Sequence, residues 1–278
     1  MLRSVTDLRG YTLSATDGDI GTVADLYFDD EAWAMRYLVV DTGTWLSGRQ
    51  VLISPVAIHQ ADWVSRRLPV SLSRQRVKDS PSIDTAQPVS RQKEAEYVNY
   101  FGYPAYWHGE ALWGAGAYPY PIGAPVAPVA AAVPPPPVPA GESASTDTHL
   151  RSAREVTGYH LHASDGALGH VEDFLVDDLD WAIRYMVADT SNWWFGRKVL
   201  VAPEWIIGID WLARQMHVEV TREEMKQAPT YDSVGHVNRQ WESDYYRQHK
   251  RPPYWISAAR ARAIKTRHES IPARPDDG

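Results

Sequence analysis

The chain has no cysteine, and this absence excludes disulfide bonds, thiolate metal ligands and cysteine nucleophiles. Long apolar segments are missing as well, because prolines interrupt the low-charge stretch at residues 119–141 and prevent it from crossing a bilayer as a regular helix. The N-terminal residues also lack the apolar core of a secretory signal peptide. From these absences we expect a cytoplasmic protein.

An excess of positive charge is absent too, since 28 Lys and Arg residues face 35 Asp and Glu residues and give a net charge of −7. Such a chain has no general field that attracts nucleic acid or anionic lipid. Phenylalanine is scarce, with 4 Phe against 12 Trp and 15 Tyr. Aromatic side chains with a polar atom suit half-wet surfaces such as interfaces. The composition therefore favours protein partners, and we do not expect the chain to bind nucleic acid directly.

The common catalytic and cofactor motifs are also absent from the sequence. It contains no G-x-S-x-G, H-E-x-x-H, P-loop or dinucleotide-binding glycine pattern. We therefore expect no enzyme, with no catalytic residues and no cofactor-binding residues.

What the sequence does contain is a repeat of domain size. Residues 10–55 recur 148 residues later as residues 158–203, without insertion or deletion. A repeat of this length indicates a duplicated domain and excludes a short-period solenoid. The predicted organisation is a first repeat at residues 1–107, a Pro/Ala/Gly-rich linker at 108–148, a second repeat at 149–255 and a basic tail at 256–278.

Each repeat carries short apolar and β-branched segments that are separated by turn signals such as Asp17-Gly18. Turns at intervals of about 8–12 residues are typical of a small antiparallel barrel or sandwich. We therefore predict a mainly β protein that consists of two small antiparallel barrels in tandem. In the first repeat the predicted strands are residues 10–15, 20–28, 33–41, 51–53 and 63–72.

Short helical segments follow the strands of each repeat. Residues 73–78 and 221–226 predict single helical turns, and Thr221 with Glu224 matches a capping box. Residues 90–101 and 238–249 predict short helices. The helices are followed by the aromatic pairs Tyr106-Trp107 and Tyr254-Trp255, and we expect each helix and its pair to fold back as a latch on its own barrel.

A fixed set of residues accompanies the repeat in both copies. In the first copy these residues are Gly10, Asp17, Gly18, Gly21, Val23, Asp25, Asp29, Asp30, Arg36, Tyr37, Asp41, Thr42, Trp45, Gly48, Arg49, Val51, Leu52, Pro55, Pro81 and Asp84, and the second copy has the same residues 148 positions later. The set resembles the PRC-barrel family, and its tandem arrangement is similar to that of free-standing bacterial members.

The resemblance implies a small β-barrel that serves interaction and assembly. The family includes the cytoplasmic part of the photosynthetic reaction-centre H subunit and the C-terminal domain of a ribosome maturation factor. From the sequence we expect this chain to differ from the first by having no transmembrane helix and from the second by having no corresponding N-terminal domain. The predicted function is a non-enzymatic protein–protein interaction module that binds protein partners or itself as a homo-oligomer, with peripheral attachment to the inner membrane as a further expectation. The alternatives are an H-subunit-like accessory role in electron-transport complexes and a ribosome or RNA-processing assembly factor.

The copies differ notably at the third turn. Both have a tryptophan there, Trp45 or Trp193, but the Leu46 and Ser47 that follow it in the first copy correspond to Trp194 and Phe195 in the second. Three consecutive aromatic side chains do not all face one core, and exposed tryptophan is a typical binding anchor. We therefore predict an interaction surface at Trp45, Trp193, Trp194 and Phe195. The alternative is that these aromatics cap the open end of each barrel.

Three histidines of the second repeat raise the question of a metal site. His160 and His162 share a face of one predicted strand, and His170 lies on the next. Imidazole ligands suit zinc or copper. A two-residue turn at residues 165–166, however, pairs His170 with Leu161 on the opposite face. Solvent-facing histidines are the favoured interpretation, and no metal site is predicted.

The paired aspartates of each repeat have a simpler interpretation. Asp29 and Asp30 sit at a predicted turn with Asp25 nearby, where carboxylates serve the backbone. The oxygen spacing of a calcium loop is missing. Cross-strand ion pairs of Asp25 with Arg36, and of Asp173 with Arg184, are the alternative role for the first aspartate.

Overall fold

The computed structural model describes residues 1–81, 89–114, 116–119, 149–191, 197–232, 235 and 237–256. The fold is mainly β and divides into two units, which are built chiefly from the two repeats. The first-repeat unit consists of Leu8–Phe28 and Met35–Ser152, and the second-repeat unit consists of Met1–Asp7, Asp29–Ala34 and Ala153–Gly278. Most of the predicted linker and nearly all of the basic tail lie outside the described residues.

The strands of the first-repeat unit are β2 (Thr12–Ala15), β3 (Gly18–Asp29), β4 (Ala34–Asp41), β5 (Gln50–Ile53), β6 (Arg67–Pro69) and β7 (Leu150–Ser152). They form one sheet with the order β5-β4-β3-β2-β6, and β7 pairs with β3 outside this path.

The strands of the second-repeat unit are β1 (Leu2–Ser4), β8 (His160–Ala163), β9 (Gly166–Asp177), β10 (Ile183–Asp189), β11 (Lys198–Val201), β12 (Ile206–Asp210) and β13 (Gln215–Val218). They form the corresponding sheet in the order β11-β10-β9-β8-β13-β12, with β1 paired to β9. The described pairings do not close either sheet into a ring.

The last strand of each repeat differs from its prediction in length and in direction. The segment predicted at residues 63–72 contains only the short strand β6, and β6 runs parallel to β2. In the second repeat β13 runs parallel to β8 in the same way. In each repeat the strands that lie between the two parallel partners in the chain form an antiparallel meander. The chain then crosses back to the outer edge of the first hairpin, β2–β3 or β8–β9. A crossover of that length permits the parallel direction, so each sheet is antiparallel except for this one strand pair.

The predicted helices are confirmed, and so is the predicted capping box. Ser90 and Asn238 accept hydrogen bonds from the first-turn amides of the two longer helices, and Thr221 with Glu224 forms the predicted capping box. No described helix is long and apolar enough to cross a membrane. The helices are α1 (Val5–Leu8), α2 (Arg74–Lys78), α3 (Arg91–Phe101), α4 (Ala153–Val156), α5 (Arg222–Gln227) and α6 (Arg239–Gln248).

The core lies against strands β4 and β10, the most deeply buried strands of each sheet. Every residue of β4 except its last, Asp41, is buried, which means that both faces of the strand are covered. Helix α3 covers one of them, because the rings of Tyr37 and Tyr97 meet edge to face with their centroids 5.2 Å apart. The mostly apolar sequence of β4 is therefore explained by cover on both faces, as in strands of buried sheets.

Candidate functional site

The longest strand of each sheet, β3 or β9, offers one edge to two different partners. In the second-repeat unit β9 pairs with β8 through residues 166–170, and the same strand then pairs with β1 through residues 175–177. Its other edge is paired with β10. Strand β1 comes from the first repeat, so the sheet of the second repeat is extended by a strand that the other repeat supplies.

The first-repeat unit has the reciprocal arrangement. Strand β7 belongs by sequence to the second repeat, and it pairs with β3 of the first. We call β1 and β7 the exchanged strands, and β3 and β9 the acceptor strands. The two exchanged strands have the same sequence, Leu-Arg-Ser. Each unit therefore binds the same short extended segment at the same edge.

A serine–aspartate hydrogen bond fixes each exchanged strand to its acceptor. The Ser4 hydroxyl donates to Asp173 Oδ2 over 2.5 Å, and the backbone N–H of Thr6 donates to Asp173 Oδ1 over 2.9 Å. In the other unit the Ser152 hydroxyl donates to Asp25 Oδ2 over 2.5 Å. Hydrogen bonds to a carboxylate are stronger than neutral ones. The Asp side chain thus recognises both the hydroxyl and the start of the helical turn that follows β1.

Apolar contacts and a rim of charge complete the attachment of β1. Leu2 is buried and Val5, in the helical turn α1, is completely buried. At the rim, the N-terminal ammonium of Met1 lies 2.5 Å from Asp178, and the Arg3 guanidinium lies 2.9 Å from the same carboxylate. Burial of the apolar side chains supplies most of the stabilisation, because exposed ion pairs contribute little.

A second segment of the first repeat also joins the second-repeat unit. The backbone N–H of Ile183 donates to the carbonyl oxygen of Trp33 over 2.7 Å, and Ala34 forms an isolated antiparallel bridge with Ala182. Trp33 and Trp181, at matching positions of the two repeats, have positive φ angles of 52° and 60°. That conformation is costly for a bulky side chain. Its occurrence at both turns indicates that the tertiary contacts of these turns impose it.

Behind each sheet, a buried glutamate ties the following helix to the core. Glu94 of α3 is 1% exposed. Its carboxylate accepts hydrogen bonds from the Tyr106 hydroxyl over 2.5 Å and the Tyr37 hydroxyl over 3.3 Å. The Arg36 guanidinium lies 3.9 Å from the centroid of the Tyr106 ring. The Tyr97 hydroxyl donates to the Leu52 carbonyl oxygen over 2.7 Å and fixes the helix to β5.

The second repeat contains the same cluster around Glu242 of α6. This carboxylate accepts from the Tyr185 hydroxyl over 3.1 Å and from the Tyr254 hydroxyl over 3.0 Å. Burial raises the pKa of Glu242, and it also raises the pKa of Tyr254. The Tyr245 hydroxyl donates to the Leu200 carbonyl oxygen. The predicted aromatic latches are therefore confirmed, and their polar atoms hold helices in place.

Trp45 is the one predicted interaction residue within the described part of the chain. It is half-buried, its indole N–H donates to the carbonyl oxygen of Ile20, and the Arg74 guanidinium lies 4.5 Å from its ring centroid. Trp193, Trp194 and Phe195 lie outside the described residues. The interaction surface at this turn stays a prediction.

The histidines lie closer together than the turn at residues 165–166 predicts. His170 is directly opposite His160, and Leu161 is opposite Gly169, because a register shift follows Leu161. The expectation that His170 pairs with Leu161 on the opposite face was wrong. The extra residue of a β-bulge moves His170 onto the face that carries His160.

The aspartates serve mainly the backbone, as expected for turns. Asp29 accepts hydrogen bonds from the N–H of Glu31 over 2.9 Å, and Asp177 accepts from the N–H of Leu179 over 3.1 Å. Arg184 pairs with Asp180 and Asp177. Asp173 binds the exchanged strand instead, so the alternative ion pair of Asp173 with Arg184 was wrong. A strand supplied by the distant repeat leaves no local signal, which explains why this role of the aspartate was missed.

Comparison with known families is consistent with the architecture. Residues 2–71 match the model of the PRC-barrel domain. The matched segment starts within exchanged strand β1 and ends after β6, so it covers the strands of the first repeat. No curated protein matches the sequence.

Proposed function

We propose that this chain, whose residues 2–71 match the PRC-barrel domain, acts as a non-enzymatic protein–protein interaction and assembly module. Its binding site is the edge of acceptor strands β3 and β9 beside the Asp25 and Asp173 carboxylates. The ligand is a short extended segment of the Leu-Arg-Ser type, which joins the sheet as an additional strand.

The observation that carries the proposal is the occupancy of both acceptor edges by a strand from the other repeat. Strand addition is a common mode of peptide recognition, in which main-chain hydrogen bonds provide affinity and side-chain pockets provide specificity. Here the specificity elements are a buried leucine pocket and a carboxylate that accepts from the serine hydroxyl. The same chemistry accepts a segment of a partner protein or of a second copy of the chain.

The duplicated architecture supports an assembly role over a single binding event. Two acceptor edges in one chain allow two segments to be held together, and linked sites gain affinity from their high effective concentration. The excess of acidic residues supports protein partners over nucleic acid. The buried polar atoms of the latch clusters are used to hold helices, which supports a binding role without catalysis.

A labelled peptide of residues 1–8 tests the acceptor edge directly in the full chain. The Arg3→Pro substitution removes a backbone donor from β1 and is expected to loosen it, because proline lacks an N–H. We expect the peptide to bind this variant measurably in fluorescence anisotropy. Adding Asp173→Ala should weaken that binding by at least about tenfold, since the hydroxyl loses its charged acceptor.

The matched control is Glu223→Gln on the Arg3→Pro background, which removes an exposed carboxylate of α5 and should leave peptide affinity unchanged. A folded Arg3→Pro variant that shows no peptide binding would contradict strand addition. Equal binding with and without Asp173→Ala would contradict the role of the carboxylate.

The partner itself is identified by crosslinking in cells of the source organism and mass spectrometry of what the tagged full chain recovers. Recovery of the same proteins with the native chain and Glu223→Gln, but not with the Asp25→Ala/Asp173→Ala double variant, would support the module. A membrane complex among these proteins would favour action at a membrane surface. Ribosomal proteins would favour the assembly-factor alternative, and recovery of no protein at all would overturn the proposal.

A further inference from the structure

Four histidines of the second repeat lie on one face of three neighbouring strands, β9, β8 and β13. We call this set the histidine face, and it consists of His160, His162, His170 and His217. The pairing of the strands brings it together: His160 is opposite His170 on β9, and His162 is beside His217 on β13. The sequence shows only the pair on β8, because β13 follows more than fifty residues later.

The burial pattern places these side chains on the outer face of the sheet. Leu161, between His160 and His162, is fully buried, and so is Met216, which precedes His217. Successive residues of a strand point to opposite faces. All four histidines are exposed or partly exposed, so their imidazole nitrogens are accessible to a ligand from solvent.

The spacing of His162 and His217 suits two ligands of one metal ion. Their ring centroids are 5.2 Å apart. Two imidazoles on a tetrahedral ion, with metal–nitrogen distances of about 2.0–2.1 Å, have ring centroids about 5 Å apart. Their rings are inclined by 27°. The pair thus has the ring separation of a bis-histidine site. The two rings stack on each other, so binding requires a rotation of the side chains that aims one nitrogen of each ring at a shared ion.

The neighbouring pair, His160 and His170, adds imidazole donors along the same face. The Nε2 atom of His170 lies 3.8 Å from a carboxylate oxygen of Asp189. A carboxylate beside a histidine orients the ring and strengthens it as a ligand. Among the residues that the structure describes, no group of three or more metal-ligating side chains is arranged around a common ion. A site of two histidines is therefore the arrangement that these distances allow.

We propose that the histidine face binds a divalent transition metal ion, such as Zn²⁺ or Cu²⁺, through His162 and His217, with water molecules as the remaining ligands. Imidazole is a preferred ligand of both ions. The site is independent of the acceptor edge, so its failure leaves the proposed function intact.

The first repeat provides an internal comparison, because it replaces every member of the histidine face. The corresponding residues, 148 positions earlier, are Thr12, Ser14, Thr22 and Pro69. Their strands are paired in the same registers. The first repeat therefore has the same backbone surface without the imidazoles, and it supplies substitutions that this fold accepts.

The test is calorimetric titration of untagged full-length protein with ZnCl₂ at pH 7.5, in a buffer that does not bind zinc. We expect one ion per chain at micromolar affinity. His162→Ser, which introduces the residue of the first repeat, should weaken binding at least about tenfold through the loss of one of two ligands. His217→Gln should have the same effect.

The control variant, His160→Thr/His170→Thr, removes two imidazoles, one more than either test variant, but keeps the His162–His217 pair, and it should retain binding within about threefold. Circular dichroism and urea unfolding show whether each variant is folded. Unchanged affinity in folded His162→Ser protein, or no binding by the native chain up to millimolar zinc, overturns the proposal. Loss of binding only in the control variant also overturns it, because the metal would then be held by the other pair.

Discussion

At the scale of single residues, two glycines lie where neighbouring chain segments approach each other very closely. A Cβ atom at Gly21 would lie 2.0 Å from the carbonyl oxygen of Asp41, and one at Gly169 would lie 2.0 Å from that of Asp189. No side chain fits at such a distance. The glycines therefore allow β3 and β9 to cross the ends of β4 and β10, and their recurrence 148 residues apart was visible in the sequence.

The substitution Gly169→Ala should destabilise the second-repeat unit. Its Cβ collides with backbone, and the φ angle of +142° is unfavourable for a residue with a side chain. We expect a loss of roughly 2–4 kcal/mol in unfolding free energy, measured by urea titration. Gly208→Ala is the matched control, because nothing lies within 4 Å of a Cβ atom at that position. Similar unfolding midpoints for the two variants would contradict this account.

His249 is a buried titratable residue of the second repeat, and the first repeat has a different residue at the matching position. Its ring packs between Trp205 and Tyr245, with centroid distances of 4.8 and 4.6 Å, and the residue is 8% exposed. Burial lowers the pKa of His249 to about 4. At the matching position of the first repeat stands Phe101, which packs on Tyr97 at 4.6 Å.

This lowered pKa predicts acid-dependent stability. The unfolded chain takes up a proton near pH 6.5, whereas folded His249 does so only near its pKa of about 4. Stability from this residue is therefore present above pH 6.5 and is lost as pH falls from about 6.5 to 4. His249→Phe should remove roughly 1–2 kcal/mol of the difference in unfolding free energy between pH 7 and pH 5, measured by urea titration. An equal pH dependence in the native chain and the variant would refute the assignment.

At the scale of elements, the helices depend on hydrogen bonds that their own sequences do not reveal. The caps at Ser90 and Asn238 were predictable because they are local signals of one turn. For the contacts between each helix and its sheet, the sequence predicted only that an aromatic latch forms. The buried carboxylate of Glu94 was missed, because its partners Tyr37 and Tyr106 come from a distant strand and from the segment after the helix.

Removing one hydroxyl tests the latch without removing the ring. Tyr97→Phe loses the 2.7 Å hydrogen bond to the Leu52 carbonyl oxygen but keeps the aromatic packing on Tyr37. We expect a loss of about 1–2 kcal/mol in unfolding free energy, because the bond is buried. Tyr100→Phe, which loses a hydrogen bond to the Arg76 carbonyl oxygen at an exposed site, is the control and should change stability by less than about 0.5 kcal/mol. The reverse order of effects would refute the latch.

At the scale of the whole molecule, the exchange of strands defines which residues form each unit. The first segment of the second-repeat unit, Met1–Asp7, belongs by sequence to the first repeat. Exchange of identical elements is a known route by which related units assemble. In this chain both exchange partners are encoded in one polypeptide, so each exchanged strand and its acceptor strand belong to the same chain.

An engineered disulfide distinguishes the exchanged arrangement from a simple one. Arg3 and Val176 are directly paired. Antiparallel partners have Cα atoms about 4.5–5.5 Å apart, within the range of a disulfide bond. The Arg3→Cys/Val176→Cys variant should therefore form an intramolecular disulfide on mild oxidation, seen as a mobility shift on a non-reducing gel. The native chain contributes no competing thiol.

The control places the second cysteine at Phe28, the residue that corresponds to Val176 in the first repeat. If β1 paired with its own repeat, Arg3→Cys/Phe28→Cys would form the disulfide and Arg3→Cys/Val176→Cys would not. We expect the opposite result. A crosslink between two chains in the Val176 variant would show exchange between copies and would contradict the intramolecular arrangement.

The duplication, most strand positions and the capping box at Thr221 follow from the sequence alone. These features are local or periodic: a turn signal, an alternating apolar pattern or a capping residue acts within a few residues of the backbone that it shapes. For the same reason the two repeats adopt the same order of strands. The parallel pairing of β6 and β13 was not determined locally, because it depends on how the chain returns after an entire meander.

Tertiary contacts determine where the exchanged strands bind and which histidines lie side by side. Leu2-Arg3-Ser4 and Leu150-Arg151-Ser152 are identical, so neither segment carries a preference for one acceptor strand over the other. Their choice depends on the path of the chain and on the packing of the helical turns that follow. The histidine face likewise depends on a β-bulge and on a strand pairing across more than fifty residues, which no local pattern specifies.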